Sequence, residues 1–358
     1  MTVYKIDTVL SQPDNSTEIK TDNPITICIQ NTDLEEPSSE NNMSYRRPPS
    51  HALPRRVPEP KPQDPRATGL RHIMKTFGKA MKSMVDCEQK YVGAEVLQAL
   101  KVRVVGLEFE TGMAIPENDP IPGSEFIRPM PAANVLQYIL PSQPWKVHGE
   151  FKPDPDSNFF SGRRFQGMLF RWLDNPPHTA FMLSGTNWRV DPAGPKSPLL
   201  ERQLYSDHTS WMASYMLRYY KSPGRSAPPD RQWDTSKPHV ICMVHDDAPL
   251  NPNYISVSEL CTVVALALKN GVLTQNSAHA AFPVTVVSCS GKQVRIVQGN
   301  INFEQCYVVL RCSRIINIPE RPWGVDTNTK QIHVDPDFLC LLGWFLGEAV
   351  GNTLRTTH

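Results

Sequence analysis

The sequence predicts an α+β fold, with a mixed or antiparallel sheet, packed helices and a disordered N-terminal tail. A buried helix and a three-stranded meander follow one another between residues 255 and 318. By contrast, the first 66 residues are acidic at first and then basic and rich in proline. We therefore expect a tail over residues 1–66 and a single globular domain over residues 67–358.

The helix that begins after Ser256 carries signals at both of its ends. Ser256 and Glu259 have the spacing of a capping box, and Gly271 follows Lys269 as expected at a helix C-terminus. Apolar residues occupy nearly every face between these caps, which predicts a buried helix. If Glu259 acts only as a capping residue, its substitution by Gln is expected to lower the stability of the protein by about 0.3–1 kcal/mol. Ser256→Ala is expected to lower it by about 1 kcal/mol.

The meander and the remaining elements are predicted from periodicity and turn residues. Strands are expected at Val284–Cys289, Gln293–Gln298 and Tyr307–Cys312, with turns at Ser290–Gly291 and Gly299–Asn300. Further strands are expected at residues 101–110, 164–173, 179–183 and 239–244, and helices at residues 67–86, at residues 207–220 and from Asp335–Pro336 onward. Residues 112–161 are rich in proline and predict an irregular crossing.

Composition excludes several classes of protein. The 358 residues carry 37 Lys and Arg against 36 Asp and Glu, a net charge of +1, so the whole chain is not a polycation built for nucleic acid. Eight scattered cysteines without a C-x-x-C pair argue against a zinc finger. The sequence shows neither a signal peptide nor a membrane span, so we expect an intracellular protein, cytoplasmic or nuclear.

The first 66 residues divide by charge. Up to Tyr45 there are two lysines and eight acidic residues, whereas residues 46–66 are basic and hold seven prolines. Such a composition buries little apolar area, so deletion of residues 1–66 is expected to leave the melting temperature nearly unchanged. The arginine pairs at 46–47 and 55–56 also suit a nuclear-import or nucleic-acid arm.

The helix at residues 67–86 has one apolar face and one basic face. Arg71, Lys75, Lys79 and Lys82 recur at helical spacing on the basic face. This pattern suits contact with nucleic acid or with an anionic membrane surface. The same pattern also describes the solvated side of a helix docked on a core, and the sequence leaves both interpretations open.

A cluster of potential metal ligands follows the strand at residues 239–244. His245, Asp246 and Asp247 end this strand, and Glu259 lies on the next helix. We expect no cofactor and a structural role for these residues: Glu259 has its capping role, and aspartates before a proline-containing turn commonly accept hydrogen bonds from backbone amides. The alternative is a divalent cation, which imidazole and carboxylate groups could hold.

Glycines recur every fourth residue near the C-terminus, at Gly343, Gly347 and Gly351. On one helix they would form a groove without side chains, which predicts close approach of another backbone. The expected neighbour is the buried helix, through Ala265 and Ala267. Homodimerisation through this groove is the alternative.

The block from Ser258 to Ile316 resembles one found in proteins of filamentous fungi that have no assigned activity. The shared features are a serine–glutamate helix, a proline-led apolar strand ending at a glycine turn, and an arginine-bearing strand. This resemblance implies a fungal intracellular protein.

The order helix, three strands, helix also resembles the core of restriction-endonuclease-like nucleases. Those enzymes need an acidic residue after the first hairpin turn and an acid-x-lysine pair on the next strand, because these groups hold the metal. The corresponding strand, QVRIVQG, carries no acid, and only Glu259 matches the helical glutamate. A core of this kind would be degenerate.

Motifs of common enzymes are missing from the sequence, including a P-loop, a nucleophile elbow and a kinase loop set. We therefore expect a non-catalytic interaction protein whose partner is nucleic acid or another protein. The alternative is a metal-dependent hydrolase or degenerate nuclease that uses His245, Asp246, Asp247 and Glu259.

Overall fold

A mixed eight-stranded sheet lies at the centre of the fold. The computed structural model describes residues 64–115, 125–142, 151–174, 182–191, 194–195, 211–221, 233–325 and 332–355. The strands within these ranges, in chain order, are β1 (Val102–Leu107), β2 (Ile127–Arg128), β3 (Trp188–Val190), β4 (Trp211–Tyr219), β5 (Val240–Asp246), β6 (Ala281–Ser290), β7 (Gln293–Asn302), β8 (Tyr307–Ser313), β9 (Ile316–Asn317), β10 (Trp323–Val325), β11 (Ile332–Val334) and β12 (Glu348–Ala349).

Strand order in the large sheet is β1-β8-β7-β6-β5-β4-β3, with β9 paired to β7. The pairs β1–β8 and β5–β6 are parallel, and the other neighbours are antiparallel. Two small sheets, β10–β11 and β12–β2, accompany it. The predicted α+β class with a mixed sheet is confirmed.

Helices cover both faces of the large sheet. They are α1 (Pro65–Asp86), α2 (Ala94–Ala99), α3 (Ala132–Ser142), α4 (Asn158–Asp174), α5 (Val257–Gly271) and α6 (Pro336–Leu346). One apolar core joins α1 and α5 to the sheet, and a second joins α3, α4 and α6 to the opposite face. The protein core is therefore a sheet between two helical layers.

Strand β5 is buried on both faces because a helical layer lies on each side of it. Successive side chains of a strand point to opposite faces. Accordingly, Ile241 and Met243 belong to the core with α4 and α6, and Cys242 and Val244 belong to the core with α1 and α5. This alternation determines where the polar residues at the end of β5 point.

Elements with strong local signals are confirmed. Helix α1 begins at Pro65, two residues before its expected start, and α5 has both hydrogen bonds of the predicted capping box. The meander β6–β7–β8 and strand β5 appear where expected, and Asp335 caps α6 ahead of Pro336. The turn predicted at Gly299–Asn300 is wrong, because β7 continues to Asn302.

Several assignments made from residue preference are wrong. Residues 164–173, predicted as a strand, lie within helix α4, and much of the predicted helix 207–220 is strand β4. Helix α3 lies within the stretch expected to be irregular. Met182 and Leu183 belong to a 3₁₀ helix rather than a strand, and residues 179–181 of that prediction lie outside the described residues.

The expected tail lies outside the described residues up to residue 63, but its last residues belong to the fold. Asp64 is the N-cap of α1, and Arg66 is buried within that helix. The boundary predicted after residue 66 is therefore too late in the chain. Among the described residues, no helix is both long enough and apolar enough to cross a membrane.

Candidate functional site

The N-terminus of α5 is fixed by its capping box. The Glu259 amide donates to Ser256 Oγ at 3.2 Å, and the Ser256 amide donates to Glu259 Oε2 at 2.9 Å. Two amides that the helix leaves unpaired are thus satisfied. The sequence reveals this local arrangement because both partners lie within four residues.

Glu259 has a second partner that the sequence analysis missed. Its Oε1 accepts from Nε of Arg295 on β7 at 3.0 Å, and its Oε2 lies 2.5 Å from Arg295 Nη2. Arg295 also donates to the carbonyl oxygens of Asn251 and Tyr254, at 2.7 and 3.1 Å. The side chains of this ion pair are 0% and 2% exposed, so Glu259 is held as a structural anion.

Burial alone would lower the pKa of Arg295, but the Glu259 carboxylate outweighs that effect and raises the pKa above its ordinary value. The guanidinium therefore stays charged inside the core. A charged group without its partner at this depth would be strongly destabilising. The pair joins α5 to β7, and we interpret its role as structural rather than catalytic.

Asp246 points toward α5, on the same face of the sheet as Arg295. Its Oδ2 accepts from Ser258 Oγ, and its Oδ1 accepts from the Ala248 amide at 2.9 Å. Burial raises the pKa of Asp246 to about 6, against the lowering effect of these two hydrogen bonds. The carboxyl group therefore titrates near neutrality but has both of its oxygens engaged.

His245 points to the opposite face of the sheet, toward α4. Its ring centre lies 4.7 Å from that of Phe159, and its Nδ1 lies 3.4 Å from Ser214 Oγ. Burial lowers the pKa of His245 to about 4, with Arg163 lowering it further, so the ring is neutral at pH 7. A neutral imidazole in this position packs as an aromatic side chain.

Asp247 caps α4 rather than joining its two neighbours. Its Oδ1 accepts from the Phe159 amide at 3.2 Å, at the first turn of the helix. The Ser157 hydroxyl lies 3.5 Å from the same oxygen. An acidic side chain is favourable at a helix N-terminus because of the unpaired amides and the helix dipole.

The four residues considered as metal ligands therefore do not converge. His245 and Asp246 lie on opposite faces of β5, Asp247 caps α4, and Glu259 is paired with Arg295. Among the residues that the structure describes, no three His, Cys, Asp or Glu side chains are arranged to hold a metal ion. The sequence placed these residues together because it does not show which face each side chain occupies.

The basic residues of α1 lie where the sequence analysis expected them. Arg71, Lys75, Lys79 and Lys82 are all exposed. The opposite face of the helix is buried through Ile73, Phe77, Met81 and Met84. Because these four basic residues are accompanied by one exposed acidic residue of the helix, Asp86, the solvent face of α1 is strongly positive.

The glycine groove predicted near the C-terminus does not form on one helix. Gly343 lies within α6, Gly347 is its C-cap, and Gly351 lies beyond it with a φ of +88°. The expected neighbours Ala265 and Ala267 are not the ones found: a Cβ at each glycine would lie 2.4 Å from a carbonyl oxygen of Met130, Arg128 or Glu125, respectively. The chain itself fills these positions, so homodimerisation through them loses its structural basis.

A small pocket near the C-terminal end of α5 also escaped the sequence analysis. Its cavity volume is about 20 Å³, and its lining includes Arg218, Trp233 and Lys237. Arg218 Nε lies 2.7 Å from Asp191 Oδ2, and the guanidinium carbon lies 3.6 Å from the centre of the Trp233 ring. The volume is below the roughly 300–1,000 Å³ of typical ligand sites, and these contacts account for the arginine structurally.

A row of buried polar side chains crosses the face of the sheet that packs against α4 and α6. Thr285 on β6 and Arg311 on β8 are the register partners of Gln298 on β7, and Asn300 follows two residues along β7. All four are at most 3% exposed. Within the described part of the chain, both amide atoms of Gln298 and the Oδ1 of Asn300 have no hydrogen-bond partner.

Such groups are costly, because each unpaired buried polar atom destabilises a protein by about 1–3 kcal/mol. The sequence signal was available: polar residues at positions 298 and 300 share one face of a strand that is otherwise apolar on that face at Val294 and Ile296. These polar residues interrupt the nearly continuous apolar run expected of a strand that is buried on both faces.

We found no protein-family model and no curated protein that matches this sequence.

Proposed function

We propose that this protein is a non-catalytic nucleic-acid-binding protein and that the exposed face of α1 contacts the phosphate backbone. The observation that carries the proposal is the row of Arg71, Lys75, Lys79 and Lys82, exposed on a helix whose other face is anchored in the core. An anchored helix presents its charges in a fixed arrangement and loses less conformational freedom on binding.

The spacing of the four residues suits a phosphate backbone. Successive steps of four residues advance about 6 Å along a helix, and the row from residue 71 to residue 82 extends about 16 Å. One strand of duplex DNA presents a phosphate about every 3.4 Å along the axis, so the row faces about five phosphates.

Burial of the apolar face favours nucleic acid over a membrane. A helix that lies in a membrane interface inserts its apolar face among the acyl chains. In α1 that face packs against α5 and the sheet, through residues that are at most 3% exposed: Ile73, Phe77, Met81 and Met84. What α1 leaves for a partner is its charged face together with one apolar side chain, Met74, which is 48% exposed.

The structural roles of the buried carboxylates favour a binding function over catalysis. The buried carboxylates considered for catalysis each have a structural partner, Glu259 in Arg295 and Asp246 in Ser258. The overall net charge of +1 implies that attraction is confined to a patch rather than spread over the protein.

The test is the salt dependence of binding to duplex DNA. If four phosphate contacts form, the slope of log K against log salt is about −3.6, which means a loss of roughly 150-fold in affinity between 50 and 200 mM salt. A variant with Arg71, Lys75, Lys79 and Lys82 all replaced by Gln is expected to lose most of this slope and to unfold at an unchanged temperature.

A charge-matched control replaces four exposed basic residues outside the row: Lys90, Arg103, Arg171 and Lys221. The control is expected to bind DNA with nearly the wild-type slope. Equal losses in both variants would mean that only net charge matters, and the assignment of α1 would then be wrong. Binding of anionic vesicles in preference to DNA and RNA would replace nucleic acid by a membrane as the partner.

A further inference from the structure

The buried polar row of Thr285, Gln298, Asn300 and Arg311 is separate from the basic face of α1. It lies on the face of the sheet that carries the core with α4 and α6, whereas α1 packs on the other face. Gln298 is the register partner of both Thr285 and Arg311, so these three side chains stand side by side. Asn300 points to the same face because it follows Gln298 by two residues.

The unpaired atoms of this row define a specific set of missing partners. Gln298 Nε2 is a donor that needs an acceptor, and Gln298 Oε1 and Asn300 Oδ1 are acceptors that need donors. Gln298 is 1% exposed and Asn300 is 3% exposed, so bulk water does not supply these partners. Buried polar groups in folded proteins are nearly always hydrogen-bonded, which implies that something else occupies the place.

We propose that Gln298 and Asn300 hold the primary carboxamide group of a small ligand. A carboxamide offers two N–H donors and one carbonyl acceptor. Its N–H groups donate to Gln298 Oε1 and Asn300 Oδ1, and its oxygen accepts from Gln298 Nε2. Each of the three unpaired amide atoms of Gln298 and Asn300 is thus matched by one group of the ligand.

Hydrogen-bonding capacity argues against other small groups. An ammonium ion has no acceptor for Gln298 Nε2. A carboxylate has no N–H group for Gln298 Oε1 and Asn300 Oδ1.

An ordered water has a similar hydrogen-bonding capacity and is the competing occupant. The test therefore compares three probes that share a propanoyl group: propanamide, N,N-dimethylpropanamide and propanoate. Binding is followed by ligand-observed NMR and by the melting temperature of the full-length protein. Propanamide is expected to give saturation transfer and a rise in melting temperature that grows with its concentration. The dimethyl compound and propanoate are expected to give neither.

Variants locate the binding. Gln298→Met keeps the size of the side chain and removes both unpaired atoms, and Asn300→Leu removes the second acceptor. Each is expected to abolish the propanamide signals, whereas Gln305→Met, at an exposed position in the turn after β7, is expected to keep them.

Two results would overturn the proposal. One is the absence of any propanamide signal with wild-type protein, which would leave ordered water as the occupant. The other is an equal signal from propanamide and N,N-dimethylpropanamide. Neither result depends on whether the variants fold, and neither bears on binding of DNA by α1.

Discussion

Glu259 is the residue whose role changes most when its contacts are considered. As a helix cap alone, its substitution by Gln would cost less than about 1 kcal/mol. The buried pair with Arg295 raises that cost, because the variant leaves the guanidinium without its counter-charge. We expect Glu259→Gln to lower the free energy of unfolding by about 3–5 kcal/mol, measured by urea denaturation.

A double variant separates the ion pair from the cap. Glu259→Gln combined with Arg295→Met keeps the capping hydrogen bond and removes the stranded charge. It is expected to be more stable than Glu259→Gln alone. Ser256→Ala removes only the N-cap acceptor and is expected to cost about 1 kcal/mol. A cost for Glu259→Gln as small as that of Ser256→Ala would contradict the structural role of the pair.

Asp246 gives the protein a distinct dependence on pH. Burial raises its pKa from 3.8 to about 6, so the folded state holds a proton more tightly than the unfolded chain. Its stabilising contribution is therefore full below pH 3.8 and is lost as the pH rises through 6. The Asp246→Asn variant is neutral at every pH and lacks this dependence.

The measurement is urea unfolding of wild type and Asp246→Asn across this pH range. Relative to the variant, wild type is expected to lose up to about 3 kcal/mol as the pH rises, from the shift of roughly two pKa units. Burial lowers the pKa of His245 to about 4, and its effect runs in the opposite direction, but both proteins retain this residue and the difference cancels it. A difference in unfolding free energy that does not change with pH would contradict the raised pKa of Asp246.

At the scale of elements, the predictions of secondary structure are wrong where the residue spacing fits both a helix and a strand, or where the stabilising contact comes from a residue far away in the chain. In β4, Trp211, Tyr215 and Tyr219 recur every four residues, a spacing that fits a helix but is also a multiple of the strand period of two. A bulge at Tyr215, with a φ of +44°, further disturbs the alternation. Helix α4 takes a cap from Asp247, which is 88 residues away from Phe159 and gives no local signal.

Helices α1 and α6 provide a matched pair of glycines. A Cβ at Gly343 in α6 would lie 2.4 Å from the Met130 carbonyl oxygen, so backbone would have to move. A Cβ at Gly78 in α1 meets no atom within 4 Å. We expect Gly343→Ala to destabilise the protein and Gly78→Ala to stabilise it by about 0.5–1 kcal/mol, because alanine favours a helix.

Thermal unfolding of both variants tests this difference. The two substitutions add the same methyl group, so helix preference alone predicts shifts of the same sign. Opposite shifts would support the close contact between α6 and Met130. If Gly343→Ala were also stabilising, the packing of α6 on the segment at residues 125–130 would be wrong.

At the scale of the whole molecule, the predictable parts are those whose determinants are close together in the chain. The cap of α5, the β6–β7 hairpin and the apolar face of α1 are local, and the sequence predicted them. The candidate site was harder to predict from the sequence, because it depends on which strands are neighbours. Glu259 meets Arg295 only since α5 crosses β7, and Gln298 and Arg311 become neighbours only through the pairing of β7 with β8.

The boundary of the folded region is a further prediction at this scale. Deletion of residues 1–66 was expected to leave stability unchanged, but Arg66 connects α1 to the rest of the fold. Its Nε donates to the His279 carbonyl at 3.0 Å, and its Nη2 donates to the Gly271 carbonyl at 2.5 Å. Asp64 caps the helix by accepting from the Arg66 amide at 3.1 Å.

Two truncations distinguish the tail from the fold. Removal of residues 1–63 keeps Asp64 and Arg66 and is expected to leave the melting temperature nearly unchanged, since the composition of that segment favours little burial. Removal of residues 1–66 takes away charged hydrogen bonds worth about 1.5–3 kcal/mol and lowers the melting temperature by several degrees. Arg66→Gln in the shorter truncation reproduces most of this loss if the guanidinium is responsible. A large drop after removal of residues 1–63 alone would mean that the segment packs on the domain and that the boundary lies earlier in the chain.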